Sequence, residues 1–210
     1  MFETESSLEE DMKQVILGSV AGFASAAAAQ SVSLSIVPSS ATLDITVTGS
    51  FTLSIYGNAD FGTAIAGGEF AISAVGATNN ITGMTGEAAA WGAGFQNDRG
   101  YDGNGGHNGL VFGQLIFPPV LNPAPESALP GPVLLGVMTV TVEPDFCGIV
   151  DFSTANGVGD FVLEIFDGGD GSFTQVADVS HGTASVGLIP APSTAALLGL
   201  GGLLAGRRRR

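Results

Sequence analysis

The 210-residue sequence predicts an all-β fold, an antiparallel β-sandwich. Three observations carry this. Apolar residues recur at every second position in most of the central chain, the period of a strand with one wet face. Turn-forming Gly, Asn and Pro clusters separate these runs, with 32 Gly and 10 Pro in all. Between residues 30 and 188 no stretch combines a 3.6-residue apolar repeat with helix caps. Only 12 % of residues are charged, half of the ~25 % typical of soluble domains, which argues against charge-laced helices.

Taken in order, SVSLSIV at 31–37 places Val32, Leu34 and Ile36 on one face, and LDITV at 43–47 repeats the pattern. FTLSIY at 51–56 turns Phe51, Leu53 and Ile55 inward and Thr52, Ser54 and Tyr56 outward. EFAISAV at 69–75 follows with Phe70 and Ile72. Further strands are expected over 110–117, 134–142, 147–152, 161–166 and 183–186, eight or nine altogether. EAAAW at 87–91 has room for one helical turn among Gly86, Gly92 and Gly94. Cys147, without a second cysteine, is expected to pack as a small hydrophobe.

The two ends read as addresses. Residues 1–11 carry five acids and no base, against the orientation an export signal needs, so translation is expected to begin at Met12. From there Lys13, an apolar run from Val15 to Ala24, and small residues at Ala27 and Ala29 form a signal peptide over 12–29, cut before Gln30. The sandwich domain then occupies 30–188. At the other end, 189–210 read Pro190-Ala191-Pro192-Ser193-Thr194, an uncharged stretch from Ala195 to Gly206, and Arg207, Arg208, Arg209 and Arg210. Each Leu favours the bilayer centre by about 0.3–0.6 kcal/mol, whereas one Arg there costs about 2.5–3.5, so the arginine block acts as a cytoplasmic stop behind a short transmembrane helix. The fold class expected overall is thus a sandwich flanked by a signal helix and a transmembrane helix.

This tail resembles the PEP-CTERM sorting signal of bacteria that make exopolysaccharide: a Pro-Glu-Pro motif, an apolar helix and a basic cluster. Ala191 stands where the motif has Glu. The resemblance implies delivery by Sec-type export machinery, transient residence in the inner membrane, cutting near Pro190 to Thr194 by an exosortase-like enzyme, and a final place at the cell surface or outside the cell, among exopolysaccharide. The body resembles cohesin-type or carbohydrate-binding-module sandwiches in GSFTLSIYG at 49–57, GGEFAISAVG at 67–76 and VLLGVMTVTV at 133–142. Jelly-roll or cohesin-like topology is what that implies.

Charge and composition narrow the function. Arg99 is the one basic residue between 30 and 188, facing fifteen acids, so no basic stripe for nucleic acid can form. One Cys and two His leave no Cys/His zinc site or disulfide framework. The most site-like stretch is QNDRGYDGNGGHNG at 96–109, where Asp98, Asp102 and Asn104 offer oxygen ligands suited to calcium. It departs from an EF-type loop, because Gly106 and Gly113 stand where further ligands belong. FDGGDGSF at 166–173, with Asp167 and Asp170, reads as a hairpin. Trp91 and Tyr101, with Tyr56, are candidates for stacking on sugar rings if they share a face. Glu69, Glu87, Glu143 and Glu164 are the carboxylates a secreted glycoside hydrolase would have to pair. No G-x-S-x-G surrounds a nucleophile, and neither His107 nor His181 sits in a catalytic motif. The expectation is therefore an exported, non-catalytic surface or matrix protein with no obligatory cofactor. A carbohydrate- or protein-binding module, stabilised by calcium in one version, is the alternative, and a hydrolase is third.

Overall fold

A computed structural model describes residues 31–45, 48–60, 63–114, 123–124, 126–128, 131–144 and 147–189. The expected signal peptide with Ala27 and Ala29, and the tail from Pro190 to Arg210, lie outside the described residues. Among those described, no helix is long and apolar enough to cross a membrane.

The described chain forms two sheets facing each other. Its strands are β1 (Ser31–Pro38), β2 (Thr42–Asp44), β3 (Gly49–Ala59), β4 (Thr63–Gly76), β5 (Ile81–Ala88), β6 (Asn97–Asp98), β7 (His107–Gly113), β8 (Val133–Val142), β9 (Gly148–Asn156), β10 (Glu164–Asp167), β11 (Ser172–Gln175), β12 (Asp178–Ser180) and β13 (Thr183–Ile189). One sheet runs β12-β1-β3-β8-β5, antiparallel except for the β1/β12 pair. In the other, β4 is central. β7 lies along one of its edges, extended by β6, while β9 and then β10 share the opposite edge. β13 and β2 continue the sheet beyond β9, and β11 continues it beyond β10.

The period-two pattern explains most of this. Val32, Leu34 and Ile36 of β1 and Phe51, Leu53 and Ile55 of β3 are buried, with exposed or half-buried Ser and Thr between them. They meet Phe70 and Ile72 of β4, Leu110 and Phe112 of β7, and Phe152 of β9 in a single core. Phe51 and Phe152 close the gap between the sheets edge to face, with ring centroids 5.9 Å apart. Each such side chain contributes about 1.5–3 kcal/mol on burial.

The described residues form thirteen strands where eight or nine were expected, with the short β6 and β12 among the additions, and four further differences have a physical reason. β5 was not anticipated, because ITGMTGEA buries only Ile81, Met84 and Ala88, and a register shift between Ile81 and Gly83 breaks the alternation. The strand expected over 161–166 begins only at Glu164, and Phe161 and Val162 are exposed. Ala90–Gly92 form a 3-10 turn, so the helical turn falls just past Glu87, which belongs to β5. Cys147 is exposed beside β9 instead of packed, because inward orientation in that strand falls on Val150 and Phe152.

Candidate functional site

The 96–109 loop builds itself with its own polar side chains. Asp98 Oδ1 accepts from Gly100 N (2.7 Å) and lies 2.6 Å from His107 Nε2, while Oδ2 accepts from Gly86 N (2.8 Å). Gly109 N donates to His107 Nδ1, so Nε2 carries the hydrogen given to Asp98. Burial raises the Asp98 pKa, but the amides of Gly86 and Gly100 and the imidazole of His107 outweigh it and hold the carboxyl below its ordinary value. Asp102 Oδ1 accepts from Asn104 N (2.7 Å) and Gly106 N (2.9 Å), a local turn. The Asn104 side chain is exposed. Of the three candidate calcium ligands, the Asp98 and Asp102 carboxylates are thus engaged in shaping the loop. Among the described residues, no three of His, Cys, Asp and Glu converge as a metal group.

Trp91 and Tyr101 do not stand as free stacking platforms. Trp91 Nε1 donates to Leu134 O (2.7 Å), and its ring packs edge-on to Phe112 at 5.8 Å. Tyr101 Oη donates to Ile81 O and accepts from Gly105 N, with its ring against the core. Tyr56 sits on the other sheet, on β3. A polar tip that finds a backbone partner draws an aromatic ring inward, which a sequence does not reveal.

The exposed aromatics lie elsewhere. On the outer face of the β4 sheet a groove of about 790 Å³ runs over a floor that includes Ala66, Gly67, Gly68 and Gly113. Phe95 stands on one side, and Phe161, Val162 and Phe173 on the other. These four are 51 %, 58 %, 46 % and 47 % exposed. Such clustering differs from singly scattered surface hydrophobes. Phe173 is propped by Phe166, with centroids 5.1 Å apart, and Phe166 packs with Ala66 as a small second apolar cluster. The FDGGDGSF segment is the expected hairpin: β10 pairs with β11, and Gly171, at φ +73°, donates its N–H to Asp167 O. Ser172 holds the Asp170 carboxyl below its ordinary pKa. The turn thereby presents Phe173 to the groove.

Polar groups around the groove are amides and carboxylates: Gln96, Asn97, Gln114, Asp160, Glu164 and Gln175. Gln114 is committed, donating to Ile65 O and Ser127 Oγ and accepting from Ala124 N. Gln96 uses Oε1 to accept from Ala88 N, leaving its NH₂. Among the described residues, no lysine or arginine lines the groove.

Beside it, Glu69 is 3 % exposed yet ionisable, and its partner is Arg99, whose Nε lies 2.6 Å from Oε1. That nitrogen is off the line of a hydrogen bond, so the attraction is coulombic. Oε2 is sealed without a hydrogen-bond partner. The one basic residue between 30 and 188 is thus engaged with a buried carboxylate. Of the four carboxylates weighed for hydrolysis, Glu69 is taken by Arg99, and Glu164 Oε1 accepts weakly from Gln175 Nε2 (3.4 Å). Glu87 and Glu143 belong to the other sheet, on β5 and just past β8.

No protein-family model matches the chain, and no curated protein matches it in sequence. Among solved structures, the seventh ScaB type I cohesin from Pseudobacteroides cellulosolvens aligns with a TM-score of 0.46 at 13 % identity, over 78 % of this chain and 95 % of that one. The sixth cohesin from scaffoldin B of Acetivibrio cellulolyticus, solved with a Cel5 dockerin mutant, gives 0.43 at 11 %, over 76 % and 99 %. The Coh-OlpA-Doc918 complex from Clostridium thermocellum gives 0.42 at 11 %, over 75 % and 99 %. The solved structures that this sandwich is similar to therefore include cohesin domains.

Proposed function

We propose that this chain is an exported, non-catalytic module of the cell-surface or extracellular polymer layer that binds uncharged, hydroxyl-rich glycan along the groove of the β4 sheet. The observation that carries the binding half is the set of Phe95, Phe161 and Phe173 rings standing half-exposed around a glycine-floored groove. Sugar rings have apolar C–H faces that rest on aromatic rings, and their hydroxyls exchange hydrogen bonds with planar amides and carboxylates. Asn97, Gln175, Asp160 and Glu164 supply those groups. With two acids and no cation at the rim among the described residues, the groove repels polyanions and favours a neutral polymer.

The placement half is supported by the order of signals in the sequence. β1 opens at Ser31, next to the expected cut after Ala29, and β13 ends at Ile189, next to Pro190. Cuts after Ala29 and past Pro190 leave every described strand whole, although β13 reaches one residue, Ile189, into the stretch read as the tail. Ser31 pairs beside Ala59 and Asp60, near the β3–β4 turn, whereas β13 runs with β4 toward Gly76. The chain thus enters the sandwich at one end and leaves at the other, which suits a body tethered by its C-terminal side.

Two measurements test this reading. Intact mass of the native protein from membrane and medium fractions is expected to show loss of residues through Ala29 and of the arginine block; an intact Arg207 to Arg210 would contradict sorting. In native affinity electrophoresis of the same protein, a soluble neutral β-glucan or galactomannan is expected to retard migration while alginate does not. Equal migration in all gels would remove the glycan reading.

A further inference from the structure

β9 leaves β4 at the Asn156/Phe70 pair, and β10 rejoins it at Glu164/Gly67. The partner edge therefore spends residues 157–163 where β4 spends only Gly68 and Glu69. Gly68 accommodates this at φ +146°, with Leu163 so close that a Cβ would lie 2.6 Å from its Cα. The excursion carries Asp160, Phe161 and Val162. Phe161 and Val162 line the groove on one flank and a second hollow of about 310 Å³ on the other. This segment is thus undercut on both sides.

Its far end is fixed, because Leu163 is buried in the core and its carbonyl accepts from Val176 N (2.8 Å), but little backbone pairing holds residues 157–162. Val158 N donates to Asn108 O (3.2 Å), and Gly159 N reaches Glu69 Oε1 at 3.4 Å. The ion pair sits directly beneath. A Cβ on Gly157 would collide with Glu69, and one on Gly159 would collide with both Glu69 and Arg99. Two glycines of the excursion thus give up side chains to seat the pair. A buried charge pair is a poor choice for bulk stability, since apolar side chains of equal volume do as well or better. It is a good choice for a contact that must hold in one position and be replaced by water in another.

We propose that residues 157–162 form a strap latched by Glu69 and Arg99, which lifts to admit a polymer chain and relatches with Phe161 and Val162 against it. This rests on the groove being the binding surface. Glu69 and Arg99 are positioning residues: they touch the strap and set its closure, and so set how slowly ligand leaves.

The test is hydrogen exchange, read by mass spectrometry on the full-length protein, for wild type, Glu69→Gln and Gly159→Ala, with Arg99→Lys as the charge-preserving control. Glu69→Gln keeps the shape and an acceptor for Gly159 while removing the charge. Gly159→Ala wedges the pair apart with a single methyl group, at a position whose φ lies outside the left-handed region. Exchange in peptides covering 157–162 is expected to rise on the order of 10- to 100-fold in both variants and less in Arg99→Lys, with β1, β3, β8 and β9 unchanged. Dissociation from a neutral β-glucan should quicken in the same order. A uniform rise across the sandwich, or none at 157–162, would overturn the latch. Local opening without binding of any neutral polymer would keep the latch and remove the glycan reading alone.

Discussion

The two outer faces of the sandwich differ sharply. On the β3/β8 sheet most outward positions are small and polar, among them Ser33, Ser35, Thr52, Ser54, Thr139 and Thr141, all exposed or half-buried, with Val37, Tyr56 and Val137 set singly among them. On the β4 sheet the outward side carries a second apolar layer of Ala66 and Phe166, a buried ion pair, and the groove with its three phenylalanines. A sheet with one wet face needs nothing outside that face except polarity. The β3/β8 sheet meets that need at most of its outward positions, and the β4 sheet is where the sequence departs from what stability alone asks for.

That contrast can be broken at the core first. Phe152→Ala removes one of the rings that join the sheets, and it should lower unfolding free energy by about 3–5 kcal/mol in urea titration. Both faces then lose order together. The double variant Phe161→Ala and Phe173→Ala should act on one face only, weakening neutral-glycan affinity by roughly tenfold per ring, about 1.4 kcal/mol each. Its urea midpoint should move little, because the rings are about half in water. A large stability loss there would make these rings core and not contact surface.

Smaller effects sharpen the picture. Asp98 has a depressed pKa, so its stabilising contribution is complete above the ordinary aspartate value of about 3.9 and disappears as pH falls through the lower folded value. Thermal unfolding followed between pH 5 and 2.5 should show an acid limb that Asp98→Asn flattens. An unchanged limb would remove Asp98 as its source. Smallest of all, Thr139→Val on the exposed face of β8 should shift stability by no more than about 0.5 kcal/mol and leave glycan binding intact.

How much of this was legible in the sequence follows the same division. β1 and β3 alternate so cleanly that Val32 and Leu53 could be placed inside from the pattern alone. β5 was hidden because two glycines and a register shift dilute its period. The groove was hidden for a different reason. Phe161 and Val162 look like the start of an inward strand, and only the way β9 and β10 share one edge of β4 shows that they stand outside it. Phe173 was seen as part of a turn, which it is, but the turn's orientation toward Phe95 depends on contacts far apart in sequence. Trp91 and Tyr101 drew attention as aromatics in a polar context, and their N–H and O–H groups turned out to anchor them inward.

The central claim is that the outer face of the β4 sheet, and not the β3/β8 face, meets the polymer. The most direct measurement is a hydrogen-exchange footprint of the native protein with and without a saturating neutral β-glucan. Protection confined to 66–68, 94–97, 111–114, 160–164 and 173–175 is the expected result. Protection on β3 and β8, with the groove peptides unchanged, would contradict it.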